Sequence, residues 1–266
     1  MAGLIYAFES GALNEAYSDM YGQAIDILNV DTTDSEQLRT VWPTVCTTAM
    51  EQTYANMPPG TDVSLRWTMG EDVIGYVGGL RDMYKPECFY NPSTVSSSSY
   101  VCSVDDEGGV HANSGVPNRL FSVLVDGGKY DDPSNPGTQL TVAALGMTKA
   151  TNLIWRTELA LTSTTQFYDW GYALQVTCRL LINQTIYVPN LLSGSTTPVI
   201  SSSPILSSDC DNLDIAIKGS GIMNGDNWCP NLICSDVTYC EFVSCPASGF
   251  TAEYEVNSKI IKLLYR

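Results

Sequence analysis

The stretch that most constrains this chain runs from Glu9 to Gly22, E-S-G-A-L-N-E-A-Y-S-D-M-Y-G, because two different stripes share one period in it. Leu13, Tyr17, Met20, Ala24 and Leu28 recur at three- and four-residue steps. That spacing gathers apolar side chains on one side of a helix and demands something to pack against. Ser10 and Gly11 stand where an N-terminal cap is expected. Glu15, Asp19 and Asp26, with Gly22 between them, follow the same steps on another side. Two carboxylates then project one turn apart, and a third lies two turns further on. Like charges at that spacing repel. Water solvating the face relieves the repulsion, and so does a cation or a set of donors from elsewhere in the chain; helical spacing leaves both readings open.

The chain has the means to bury the apolar stripe, since 44% of its 266 residues are apolar, enough for one large domain or two small ones. Asp and Glu number 29 against 13 Lys and Arg, a net charge of −16. With no basic block, such a chain is repelled by phosphate, and nucleic acid is excluded as a partner. The acid excess is compatible with divalent cations, although solubility of a secreted protein accounts for it equally. No apolar run approaches the ~20 residues that cross a bilayer, so no membrane span is expected. Nine cysteines without paired metal-ligand spacing indicate an oxidising compartment. Asn183-Gln184-Thr185 is an N-glycosylation sequence, a weak motif that agrees with export.

The order of residues narrows the reading. A-G-L-I-Y at 2–6 followed by the 9–22 stretch resembles the segment that follows the H-E-x-x-H helix in thermolysin-like (M4 family) zinc metallopeptidases. The resemblance implies that Glu15 is the third zinc ligand, that Asp19 orients a zinc-bound histidine, and that Tyr6 stabilises the transition state. H-E-x-x-H itself is not in the sequence, which holds one histidine, so a site of two histidines and a glutamate cannot form from these 266 residues. The resemblance resumes at Trp67-Thr68-Met69-Gly70-Glu71-Asp72 and through Gly78-Gly79-Leu80-Arg81-Asp82-Met83 to Pro86. By it, Arg81 contacts the substrate carbonyl and neighbouring carboxylates, while Leu80 and Val73 wall the pocket for the side chain after the scissile bond. An ordinary structural ion pair is the other reading of Arg81.

The second diagnostic motif is Asp106-Glu107-Gly108-Gly109-Val110-His111-Ala112-Asn113-Ser114-Gly115. Its paired glycines permit a sharp turn that returns Asp106 to the ring of His111. A carboxylate on one imidazole nitrogen leaves the other to donate to a developing oxyanion, and that is the role the resemblance implies for His111. Asp26 and Glu71 match two carboxylates that share calcium in thermolysin, but Arg66 and Thr68 stand where further acidic ligands would be.

Helix starts at Ser114, Thr148 and Ser163 precede apolar periodicity over 116–125, 150–161 and 165–182, with Gly127-Gly128 as a stop, and the resemblance implies a closing helix over 211–221. The expected fold is mainly α: a thermolysin-like C-terminal helical domain over 1–222, with a long insertion at about 29–66 holding a short helix around Val41 to Tyr54, and a Cys-rich C-terminal tail over 223–266. Bridges are expected between Cys88 and Cys102, between Cys178 and Cys210, and locally among Cys229, Cys234, Cys240 and Cys245, leaving Cys46 over. The expected function is the C-terminal part of a secreted, monomeric zinc metalloendopeptidase acting on protein or peptide substrates. By itself the chain is expected to be inactive, with its signal peptide and histidine motif both outside it. A naturally truncated peptide-binding module without catalysis is the alternative.

Overall fold

The computed structural model describes residues 2–28, 66–70, 80–189 and 198–224, and the backbone of 251–256 and 259–264. Outside them lie the expected insertion and its short helix, Cys46, Glu71, Val73, Gly78-Gly79 and the four tail cysteines. The chain separates into two compact units, 1–228 and 229–266.

The first unit is mainly helical, and its centre is α1, Phe8–Leu28. Leu13, Tyr17, Met20 and Ala24 are buried as the period demands, and Ile27 rather than Leu28 completes the stripe. The start differs from the expected cap. Helix begins two residues before Ser10, which is buried inside it and donates its hydroxyl to the Thr165 carbonyl at 2.7 Å. Ser10 therefore ties α1 to a distant loop and does not satisfy its own helix end.

Two segments close over α1. Helix α2, Asp106–Asn113, lies so near that a Cβ on Gly11 would come within 2.3 Å of Val110 Cγ1. Glycine at 11 is what lets the two backbones approach. Helix α3, Gly115–Asp126, follows almost at once and contributes Val116, Leu120, Phe121, Val123 and Leu124 to the core. Gly127, at φ 78°, ends it.

The segment after Gly127, where the glycine pair stops the helix, pairs as a hairpin. Strand β1 (Gly128–Asp131) lies antiparallel to β2 (Gln139–Val142), with Gly128 opposite Val142 and Asp131 opposite Gln139. Four-residue strands leave little alternation for sequence reading to detect. Helix α4 (Met147–Glu158) begins three residues before the expected apolar run, and α5 (Phe167–Leu181) falls inside its expected bounds. The cap of α5 is not Ser163; Asp169 accepts from the Gln166 N–H at 3.1 Å. Trp170 of α5 donates its indole N–H to the Tyr17 hydroxyl at 3.0 Å, so the two largest groups on that side of α1 pack without leaving a buried donor unpaired.

Helix α6, Ser207–Ser220, starts four residues earlier than expected and is joined to α5 by the Cys178–Cys210 disulfide. Cys88 and Cys102 are each disulfide-bonded as well, but Cys178–Cys210 is the bridge with both ends described. Among the described residues no helix is long and apolar enough to cross a membrane. In the second unit, Thr251–Val256 pairs antiparallel with Lys259–Leu264, Val256 opposite Lys259.

Candidate active site

Four successive residues, Asp106 to Gly109, have positive φ: 54°, 48°, 87° and 80°. Non-glycine residues in that region cost about 1–2 kcal/mol each, so something must hold the first two there. The glycines have no alternative. A Cβ on Gly108 would lie 2.3 Å from Phe8 Cδ1, and one on Gly109 would lie 2.6 Å from Val101 Cβ. The turn aims Asp106 back along the helix it precedes. One carboxylate oxygen meets His111 Nδ1 at 2.5 Å. The other accepts from the backbone N–H groups of His111 at 2.9 Å and Ala112 at 3.3 Å, donors that a first helical turn leaves unsatisfied.

The far edge of the ring points at α1. His111 Nε2 lies 3.1 Å from the Tyr6 hydroxyl and 3.8 Å from Glu15 Oε2, and Tyr6 donates to Glu15 Oε1 at 2.6 Å. Since the phenol proton goes to Glu15, the phenol oxygen is free to accept from Nε2, and the chain of contacts is complete when both ring nitrogens carry a proton. The His111 side chain is 51% exposed and Glu15 20%, so the cluster opens to solvent on one side.

One turn along α1, Asp19 is buried. Its Oδ2 accepts from Arg81 Nη1 at 2.9 Å and from Asn118 Nδ2 at 2.7 Å, while Arg81 Nη2 also reaches Glu15 Oε2 at 3.6 Å. The two readings of the acidic stripe are thereby decided for Glu15 and Asp19: donors from elsewhere in the chain hold them. Arg81 takes a place between two carboxylates. Asn118 carried no role in the sequence reading. Its only signal there is a polar residue inside the apolar period of α3, where it is almost fully buried.

Burial pushes both carboxyls upward, and their partners decide the net direction. Loss of solvent raises the Asp19 pKa, and the opposing effects of Arg81 and Asn118 do not cancel it. Burial pushes Asp106 upward too, but the His111 ring and two backbone N–H donors outweigh it and leave this carboxyl below its ordinary value. The Tyr6 phenol is pushed up to about 12, first by its hydrogen bond to Glu15 and then by burial.

Of the remaining expected residues, Leu80 is exposed at the edge of this region against Gly70, and Val73 lies outside the described residues. Asp26 is half-buried on α1, and its expected calcium partner Glu71 also lies outside them. Arg66 forms a two-point pair with Asp126, at 2.8 and 3.1 Å, and Trp67 Nε1 donates to the same carboxylate at 2.6 Å. A guanidinium thus neutralises acid on the segment where calcium was considered.

Among the described residues, no group of three or more His, Cys, Asp or Glu is arranged to hold a metal ion. Glu15 is one carboxylate, with one oxygen already accepting from Tyr6 and the other paired with Arg81 Nη2 at 3.6 Å. The donor set does not by itself fit zinc, which takes three or four protein ligands.

Residues 2–185 match the family described as "Thermolysin metallopeptidase, alpha-helical domain". Similar chains include a zinc metalloproteinase of Renibacterium salmoninarum, 29% identical over 226 residues, covering 83% of this chain and 32% of that protein. A thermolysin of Alicyclobacillus acidocaldarius subsp. acidocaldarius is 32% identical over 132 residues, 48% of this chain and 18% of its own length. An extracellular elastase of Staphylococcus epidermidis is 31% identical over 178 residues, 65% of this chain and 24% of its own. This chain thus spans about a third or less of the curated relatives it matches. Among solved structures, the precursor of protealysin from Serratia proteamaculans aligns with a TM-score of 0.48 at 20% identity, over 83% of this chain and 52% of that one.

Proposed function

Because the chain belongs to the thermolysin metallopeptidase family, whose alpha-helical domain it carries over residues 2–185, we propose that it is the C-terminal portion of a secreted zinc-dependent endopeptidase, monomeric and acting on protein and peptide substrates. The observation that supports this reading is the meeting of Tyr6, Glu15 and His111 at one solvent-facing point, with Asp106 against the far ring nitrogen. His111 Nε2, and the Tyr6 hydroxyl once it turns its proton away from Glu15, suit a negative oxygen that develops when a peptide carbonyl becomes tetrahedral. In this proposal His111 and Tyr6 hold that oxygen, Asp106 orients the ring, and Arg81 steadies the substrate carbonyl beside Leu80 and Val73. Glu15 serves as one zinc ligand of the complete enzyme, with Asp19 behind the site. Calcium shared by Asp26 and Glu71 remains part of the proposal for the complete enzyme.

The 266-residue chain alone is proposed to lack peptidase activity, because its single histidine cannot complete a two-histidine, one-glutamate site. Casein hydrolysis by the purified chain that is abolished by a zinc chelator and survives repurification would overturn that. The coding sequence upstream of Met1 tests the rest. An in-frame H-E-x-x-H supports the peptidase, and in that complete enzyme His111→Phe should lower kcat by about 10²–10³-fold, the usual loss for one oxyanion donor. A stop codon and promoter immediately upstream would instead favour a truncated peptide-binding module that keeps the cleft without the chemistry.

A further inference from the structure

The chain contains one Asn-x-Ser/Thr sequence whose middle residue is not proline, Asn183-Gln184-Thr185; Asn91-Pro92-Ser93 has the excluded proline. All three residues of the 183–185 sequence are exposed, in the turn that leaves the C-terminus of α5. The backbone of that turn is well tied. Asn183 N–H donates to the Ile205 carbonyl at 2.9 Å, and Gln184 N–H donates to the Leu181 carbonyl at 3.0 Å. Asn183 takes φ 58°, a left-handed conformation that asparagine tolerates better than most residues, and this turns its side chain out of the helix line. Among the described residues its amide makes no hydrogen bond. By contrast the amide of Asn152 is fully occupied, giving to the Thr148 and Tyr187 carbonyls and accepting from the Tyr187 N–H.

We propose that Asn183 is an N-glycosylation acceptor of the secreted chain. Asn183 Nδ2 attacks the anomeric carbon of an N-acetylglucosamine carried on a lipid diphosphate. The C–N bond forms as the bond from that carbon to the diphosphate oxygen breaks, the amide loses one proton, and the lipid diphosphate leaves. Thr185 supplies the hydroxyl that the sequence requires of its third residue. A folded acceptor site must leave room for a bulky sugar without disturbing packing, and a turn with a fixed backbone and an unengaged outward amide does so. Leu180 at the end of α5 and Tyr187 just beyond the turn are themselves exposed, at 71% and 42%, so the surroundings of the turn in sequence are open to solvent. The placement relies on passage through a glycosylating export route and is independent of peptidase chemistry.

The test is to express the full chain behind a eukaryotic secretory leader, which supplies export whatever the natural route. Cell-associated and secreted chains are both examined, because transfer precedes folding. The expected result is one glycan per chain, removed by peptide-N-glycosidase with deamidation at Asn183, lost in Asn183→Gln and in Thr185→Ala, and kept in Thr185→Ser. An unmodified chain in cells that glycosylate a control protein overturns the proposal, as does a glycan that persists in Asn183→Gln.

Discussion

Asp106 and Asp19 are carboxylates of one site and burial pushes both upward, yet the first ends below its ordinary pKa and the second above it. The difference lies in the backbone around each. Asp106 precedes a helical turn whose leading N–H groups have no carbonyl to meet, so it collects two main-chain donors in addition to the His111 ring. Asp19 sits in the middle of α1, where the neighbouring N–H groups are already committed within the helix. It depends on two side chains, Arg81 and Asn118, brought from 62 and 99 positions away. A carboxylate at a turn is served locally, whereas one inside a helix must wait for tertiary structure.

The largest expected effect tests the local half of that contrast. Gly108→Ala should lose about 3 kcal/mol of unfolding free energy, from left-handed strain together with the overlap against Phe8. Gly146→Ala, at φ 82° with nothing within 4 Å of its Cβ, should lose only the strain, about 1 kcal/mol. Equal losses in urea titrations would mean that packing against Phe8 contributes nothing to the turn.

Next comes the tertiary half. Asn118→Ala removes one of two donors from a buried carboxylate and should cost about 1–2 kcal/mol. It should also raise the Asp19 pKa further, which carbon-13 NMR of the carboxyl would detect. An unmoved Asp19 resonance would show that Arg81 alone holds this side chain.

The pH dependence of stability should separate the two carboxylates by sign. For Asp19 the folded pKa exceeds the unfolded one, so the folded state binds the extra proton. Its favourable contribution is complete below the unfolded value and is lost as pH rises through the raised folded value. Asp106 behaves oppositely: its contribution is present above the unfolded value and is lost as pH falls through the lowered folded value. Asp19→Asn should therefore flatten the fall of stability on the alkaline side of the carboxylate range, and Asp106→Asn the fall on its acid side. Thermal unfolding between pH 2 and 7 measures both, and slopes changing in the same direction would break the comparison. The smallest effect concerns the exposed phenol: Glu15→Gln should bring Tyr6 ionisation down from about 12 toward its ordinary value, read by ultraviolet titration, with little change in stability.

Much of this was legible beforehand. The period of Leu13, Tyr17, Met20 and Ala24 named the buried side of α1, and G-G-V-H named a turn that returns Asp106 to His111. Other features were not. Ser10 looked like a cap because caps and buried serines share a residue type, and only the nearness of Thr165 distinguishes them. The β1–β2 hairpin leaves no sequence signal because its strands are four residues long.

By itself the sequence determined what short-range sterics dictate: the helical stripes, the glycine turn, the family to which that order of residues belongs, and the single histidine that limits any metal site. Tertiary structure decided which side chains meet. Tyr6 reaches His111 across 105 positions and Asn118 reaches Asp19 across 99, because such contacts depend on how close two helices approach. Between α1 and α2 that approach is set by the absent side chain of Gly11 against Val110, whose effect appears only when both are packed.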